Sequence, residues 1–269
     1  MFINVEREGM FNLAHILYIV ISAVITVALL VSAGLFVKEE KYKKLIIKII
    51  AVVTVALHFS DIYVEFFQTG SVSVSEPHIF PIHPCNVIMW LLLVCAFLKN
   101  YDGKVSKILL EFTFYGGVVC GIIGIVFNIN YGNNPTLADW GILKGMLSHS
   151  TLVLGCIYIL VAKFIKIRVS NCISCFFGLC LFIVDGLIIN GLYSAFGLGE
   201  CNSMYLQSSP VDSMPWLSPL LMGIAGLVLV FAVTAIYEQF TLKREERWFV
   251  ILKDKIRTLK ERKKGADNE

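Results

Sequence analysis

The sequence predicts an all-α fold: a polytopic membrane helix bundle of seven transmembrane helices, with the N-terminus outside and the C-terminus in the cytoplasm. Three observations carry that expectation: an apolar composition, long unbroken apolar runs, and a one-sided distribution of Lys and Arg. Of 269 residues, 57% are hydrophobic and 16% charged, and the mean hydropathy is +0.75. Soluble domains run near ~45–50% apolar and ~25% charged, and a soluble chain of this length has no interior large enough to hide the difference. In hydrocarbon every backbone polar group needs an internal partner, which leaves helices or a closed barrel. Barrel strands read as alternating segments of about ten residues, and the apolar runs here do not alternate.

Windows of about 19 residues, matched to a ~30 Å hydrocarbon core, place the spans in order. The first is 14–37. Before it, Arg7 stands between Glu6 and Glu8, without the basic start and small-residue cleavage site of a signal peptide, so this segment is expected to remain as a span. The second is 45–68, with Lys48 in its inner turn able to snorkel. The third, 84–98, is short and follows Pro81 and Pro84, so it is expected to extend past that turn or to lean on its neighbours. The fourth, 108–128, carries Gly116, Gly117, Gly121 and Gly124 in steps that permit close helix approach. Spans five to seven are 142–166, 172–196 and 217–240. The chain thus divides into a seven-helix transmembrane domain, 1–240, and a basic tail, 241–269. In that tail Trp248, Leu252, Ile256 and Leu259 form an apolar stripe among Lys and Arg. Two places suit such a helix: the cytoplasmic membrane surface, or the protein's own cytoplasmic loops.

Orientation follows from the loops. Lys38, Lys41, Lys43 and Lys44 follow span one, Lys99, Lys104 and Lys107 follow span three, and Lys163, Lys166 and Arg168 surround the end of span five. The connections 69–83, 129–141 and 197–216 contain no Lys or Arg. By the positive-inside rule the first group is cytoplasmic and the second outside. Of 23 basic residues only Arg7 and Lys144 depart from the pattern. Basic residues beside spans are what topology and anionic lipid require, so the net charge of +3 gives no reason to invoke nucleic acid. Cys95, Cys120, Cys156 and Cys180 lie inside apolar stretches as small hydrophobes and supply no disulfide framework.

Ionisable groups inside a bilayer are costly and mark function or helix-helix bonding. His58, Asp61 and Glu65 share one face in the outer half of span two. His83, Cys85 and Asn86 open span three, Asn128 ends span four, and Lys144, Ser148 and His149 begin span five. Asp185, Asn190 and Tyr193 approach the outer end of span six. Five helices therefore bring polar groups to one level, the pattern of an outward-facing cavity. Within it Cys85 and His149 are the thiol and base that depth allows to pair, with Cys85 near a helix N-terminus that favours thiolate. Cys85 has two rival roles, a packing residue and a disulfide partner of Cys201. Cys172 and Cys175 form a lone C-x-x-C read as packing. A zinc site from His58, His78, His83 and His149 lacks any supporting spacing, so no metal and no cofactor is expected.

The segment Pro81-Ile82-His83-Pro84-Cys85-Asn86, with His149 and the loop Asn202-Ser203-Met204-Tyr205-Leu206, resembles the YwaF-type bacterial integral membrane family, whose animal relative is transmembrane protein 164. The likeness covers most of the chain. It departs at Pro84, where the family usually has Leu, and in the Asn202 loop, which is usually richer in aromatics. The resemblance implies a bacterial plasma-membrane location and lipid acyl transfer, with Cys85 as nucleophile and His149 as base. The expected function is therefore a lipid acyltransferase or hydrolase acting on a membrane lipid. His58, Asp61, Glu65, His83, Asn86, Asn190 and Tyr205 are expected to bind the substrate, with Asn86, Asn190 and the backbone amides after Cys85 as oxyanion donors. Two alternatives stay open: binding or transport of a small polar ligand in the same cavity against His58, Asp61, Glu65 and Lys144, and an accessory subunit without chemistry. The sequence leaves the oligomeric state undetermined.

Overall fold

The computed structural model describes residues 9–71, 80–209 and 216–266, apart from the side chains of Asp61, Ile129 and 260–266. Among them the chain is all-helical: α1 (Leu13–Phe36), α2 (Glu40–Thr69), α3 (Pro84–Ala96), α4 (Lys104–Val126), α5 (Ile129–Asn133), α6 (Trp140–Val161), α7 (Ile173–Phe196), α8 (Pro219–Thr241) and α9 (Trp248–Ala266). Six of these, α1, α2, the α4–α5 unit, α6, α7 with its leading 3-10 turn, and α8, are long and apolar enough to cross a membrane. α3 has 13 residues, about 20 Å at ~1.5 Å per residue, well below the hydrocarbon thickness.

Local chemistry sets the helix ends. Asn12, Asp139 and Ser218 cap α1, α6 and α8, each side chain accepting from the backbone N–H three residues on. Pro84 and Pro219 stand in the first turns of α3 and α8, where a missing N–H costs nothing. Span four was expected to run unbroken to 128; instead the helix stops at Val126, and Asn128 starts the separate turn α5 by accepting from Tyr131 N–H at 3.0 Å. Span five was expected to reach 166 and ends at Val161. Lys163 adopts φ 66°, Lys163 N–H donates to Leu160 O and Phe164 N–H to Ile159 O, which is a Schellman close. Phe164 then packs edge-on against Tyr101 at 4.5 Å and seals the turn. Hydropathy does not register such a stop, because Phe164 and Ile165 are as apolar as the helix they leave.

The core belongs to α2, α3, α4 and α6, which contact one another most extensively. Ile47, Ile88, Leu92, Leu110, Cys156 and Ile159 are wholly enclosed there. α3, too short to span alone, is supported on three sides by α2, α4 and α6. The α4 glycines make this packing possible. A Cβ on Gly117 would strike Cys156 and Ile88, and one on Gly116 would lie 2.7 Å from Ile88 Cδ1. α1 and α8 are peripheral, each with 6% of its apolar window buried, so their exposed Leu, Val, Ile and Phe side chains are the surface offered to lipid.

Candidate functional site

The site is built where α2, α3 and α6 converge under the segment that precedes α3. Thr54, His58, Cys85, Asn86, Met89, Ser148, His149 and Leu152 line one cavity of about 20 Å³, room for roughly one water. Cys85 stands one residue after Pro84 in the first turn of α3. Its Sγ donates to Asn86 Oδ1 at 3.5 Å, and His149 lines the same cavity.

His149 is held from two sides. Its Nδ1 lies 2.7 Å from the Gly145 carbonyl, which also accepts from Ser148 Oγ at 2.8 Å. The ring rests against α4 at Gly124, where a Cβ would overlap Cδ2 and Nε2. The missing side chain is what gives the imidazole its place. A backbone carbonyl accepts a hydrogen bond and cannot donate one, so Nδ1 carries a hydrogen, and in the neutral form of the ring Nε2 holds the lone pair.

Lys144 is buried, and its ammonium donates to the His58 carbonyl at 3.3 Å. Trp140 Nε1–H donates to Ser60 Oγ at 3.0 Å, so the start of α6 is fixed to α2 at two heights. Four of the nine residues expected at the site, His58, Cys85, Asn86 and His149, share the cavity wall. Glu65 is half-buried farther along α2 and is not part of the lining. The side chain of Asp61 lies outside the described residues, as does His78.

Asn190 does other work than expected. Its Oδ1 accepts from Ser203 N–H at 2.8 Å and its Nδ2 donates to Ser203 O at 3.4 Å, so the carboxamide clasps the loop that follows α7. Met204 N–H donates to Ile82 O at 2.8 Å, joining that loop to the approach to α3. Met204 and Tyr205 both take positive φ, 53° and 56°, which costs on the order of 1 kcal/mol per non-glycine residue and is held by these bonds. Tyr205 thereby stacks on His83, ring centroids 5.5 Å apart. Burial pushes its phenol up to about 12, with smaller contributions from the thiols of Cys85 and Cys120, and Tyr205 does not line the cavity.

The backbone amides after Cys85 are engaged. Asn86 N–H and Val87 N–H both donate to His83 O, at 2.9 and 3.3 Å, in the first turn of α3. Cys85 and Cys201 are both free thiols, so the expected disulfide alternative does not hold. Cys201 instead packs with Ile82, Ile189 and Tyr193. Cys172 and Cys175 are also unbridged, and Cys175 is buried in the main core. Among the described residues no three His, Cys, Asp or Glu side chains gather as a metal site would require.

Sequence reasoning passed over Thr54, Met89 and Leu152, which complete the cavity wall. Nothing in their types distinguishes them from ordinary helix-face residues. It also passed over His15, wholly buried, which accepts from Phe11 N–H at 3.2 Å and donates through Nε2 to Ile125 O at 2.9 Å. Tyr131 stacks on His15 at 4.7 Å and donates to Asn12 Oδ1 at 2.7 Å, tying α1 to the α4–α5 break. A polar residue early in a span, three residues after a cap-type Asn, was the available signal.

An all-helical body with peripheral apolar helices around a small polar cavity defines an integral membrane protein. The chain belongs to the TMEM164 family, whose model matches residues 10–237, from just before α1 into the last turns of α8. No curated protein and no solved structure matches it.

Proposed function

We propose that the protein is a lipid acyltransferase or lipid hydrolase that uses Cys85 and His149 at the outer side of the membrane. The observation that carries this reading is a thiol and an imidazole on the wall of one cavity, with the imidazole fixed through Nδ1. His149 Nε2 takes the Cys85 proton, and the thiolate adds to the carbonyl carbon of a lipid ester. The C–O bond breaks, the leaving alkoxide takes the proton from His149, and the acyl group stays on Cys85 as a thioester. An acceptor hydroxyl, or water in the hydrolase case, then gives its proton to His149 and attacks the thioester, releasing the thiolate. Because the Asn86 and Val87 amides are committed to His83 O, the carboxamide of Asn86 is the oxyanion donor this site offers.

The membrane arrangement proposed with it has seven membrane-embedded helices, α3 among them, with the N-terminus outside and the tail inside. The asymmetry of Lys and Arg supports it. A buried Lys144 beside His58 favours a second reading, the binding or transport of a small anionic ligand in the same cavity. The two separate in one experiment. Lipid profiles and acyl exchange are measured on purified wild type, Cys85→Ala, His149→Ala and Lys144→Met. Loss of acyl transfer in the first two supports the enzyme; full activity in Cys85→Ala together with lost ligand retention in Lys144→Met supports the binding protein.

A further inference from the structure

α9 follows α8 after one 3-10 turn, and its start is tied firmly to the body. Glu238, buried at the end of α8, accepts from Trp248 N–H at 2.9 Å through one carboxylate oxygen and from Val169 N–H at 2.7 Å through the other. Trp248 packs edge-on against Phe231 of α8, ring centroids 5.2 Å apart. Arg247 donates to Gln239 Oε1 and to Leu242 O, and Arg168 pairs with Glu246. The first turn of α9 is therefore fixed beside the end of a membrane-crossing helix.

Beyond that turn α9 touches little of its own chain, and residues 251–259 are all exposed. Ile251, Leu252, Ile256 and Leu259 are 43–63% accessible. With Trp248 and Phe249 they occupy roughly half of the helix circumference, while Lys253 and Arg257 lie on the other half. Between Trp248 and Ala266 the sequence carries seven Lys or Arg against two carboxylates. An isolated helix of this length is marginal in water, and an apolar stripe of this size needs an apolar partner. A helix that starts at the mouth of a span and combines such a stripe with excess positive charge matches the boundary between anionic headgroups and acyl chains.

We propose that α9 is an anionic-lipid-binding helix that lies on the leaflet from which α8 emerges. Its apolar residues enter the acyl boundary, Lys253 and Arg257 meet phosphate headgroups from the opposite half, and Lys255, which lies within the stripe, reaches them by extending its stem along the apolar face. The match to the TMEM164 family ends at residue 237, before α9 begins, so the proposal does not depend on the chemistry of the cavity.

The test is hydrogen exchange of residues 251–259 in the full-length protein, one copy per lipid nanodisc. One set of discs is made of phosphatidylcholine alone and the other of phosphatidylcholine mixed with phosphatidylglycerol. The expected result is at least tenfold slower exchange in the anionic discs. That protection should be lost in high salt and in the triple variant Lys253→Gln, Lys255→Gln, Arg257→Gln, whose substitutions keep helix propensity. Equal exchange in the two discs overturns the proposal, as does protection that survives both salt and the triple variant. Protection that arises only with two copies per disc, whatever the lipid, also overturns it and assigns the stripe to a second copy of the chain.

Discussion

Adding a methyl group at Gly124 perturbs the candidate site without replacing either reactive side chain. The new Cβ would overlap the His149 ring and lie 2.8 Å from its Cγ, where relaxed carbon contacts sit near 3.5–4 Å. Packing an extra carbon into a tight interior costs about 1–3 kcal/mol. If the ring swings away to relieve the overlap, the bond from Nδ1 to Gly145 O is lost as well, about 1 kcal/mol more. Opposing this, alanine is about 1 kcal/mol better than glycine within a helix. The balance is a destabilisation of roughly 1–3 kcal/mol with the imidazole displaced. A shift of about 1 Å in a catalytic group costs on the order of 10²-fold in rate. The assay pairs thermal unfolding in detergent with acyl-transfer rate, using Gly191→Ala as reference because a Cβ there meets nothing within 4 Å. If Gly124→Ala proves as stable as Gly191→Ala and turns over lipid at the wild-type rate, the account of how His149 is positioned is wrong.

Four further outcomes are expected. Glu238→Gln leaves either the Val169 or the Trp248 amide facing an NH₂ group, so stability should drop by about 1–3 kcal/mol and exchange at that amide should quicken; unchanged exchange at both removes the carboxylate from the role assigned to it. Cys85→Ala should lower acyl transfer to background while leaving the unfolding temperature near wild type, and Cys201→Ala should leave activity intact, since neither thiol is bridged; retained activity in Cys85→Ala ends the nucleophile assignment. Folding stability should fall as pH rises past 9. There the unfolded Cys201 and Tyr205 ionise near their ordinary values of 9.0 and 10.0, whereas burial holds the folded thiol up and the folded phenol at about 12. Cys201→Ala with Tyr205→Phe should flatten that slope, and an unaltered slope would point to other groups. Finally, a reporter after Glu269 should be active only in the cytoplasm and a tag before Met1 accessible only from outside; the reverse would overturn the proposed orientation.

The helices were readable because apolar length and the placement of lysines act one segment at a time. Leu13–Phe36 and Pro219–Thr241 fall within two residues of the hydropathy bounds. What hydropathy does not carry is a stop written in backbone geometry, such as Lys163 or the Asn128 cap. That His58, Cys85, Asn86 and His149 share a level was also legible, since relative depth follows from position along a span. Rotation was not: the His149 ring has its place because Gly124 of α4 lacks a side chain. Asn190 illustrates the limit. Its depth matched that of the cavity, yet its hydrogen-bonding capacity goes to Ser203, a partner 13 residues along the chain that only the folded loop brings back.

Lys163 carries a consequence for how the chain is made. A left-handed residue that closes a helix is usually glycine, and Lys163→Gly should relieve about 1 kcal/mol of strain. In the proposed orientation, the same exchange deletes a positive charge from a cytoplasmic loop, where such charges direct insertion. On that proposal, lysine at this point serves biogenesis at some expense to the finished fold. Variants selected only for heat resistance should therefore drift toward glycine here and insert with mixed orientation when neighbouring lysines are also reduced.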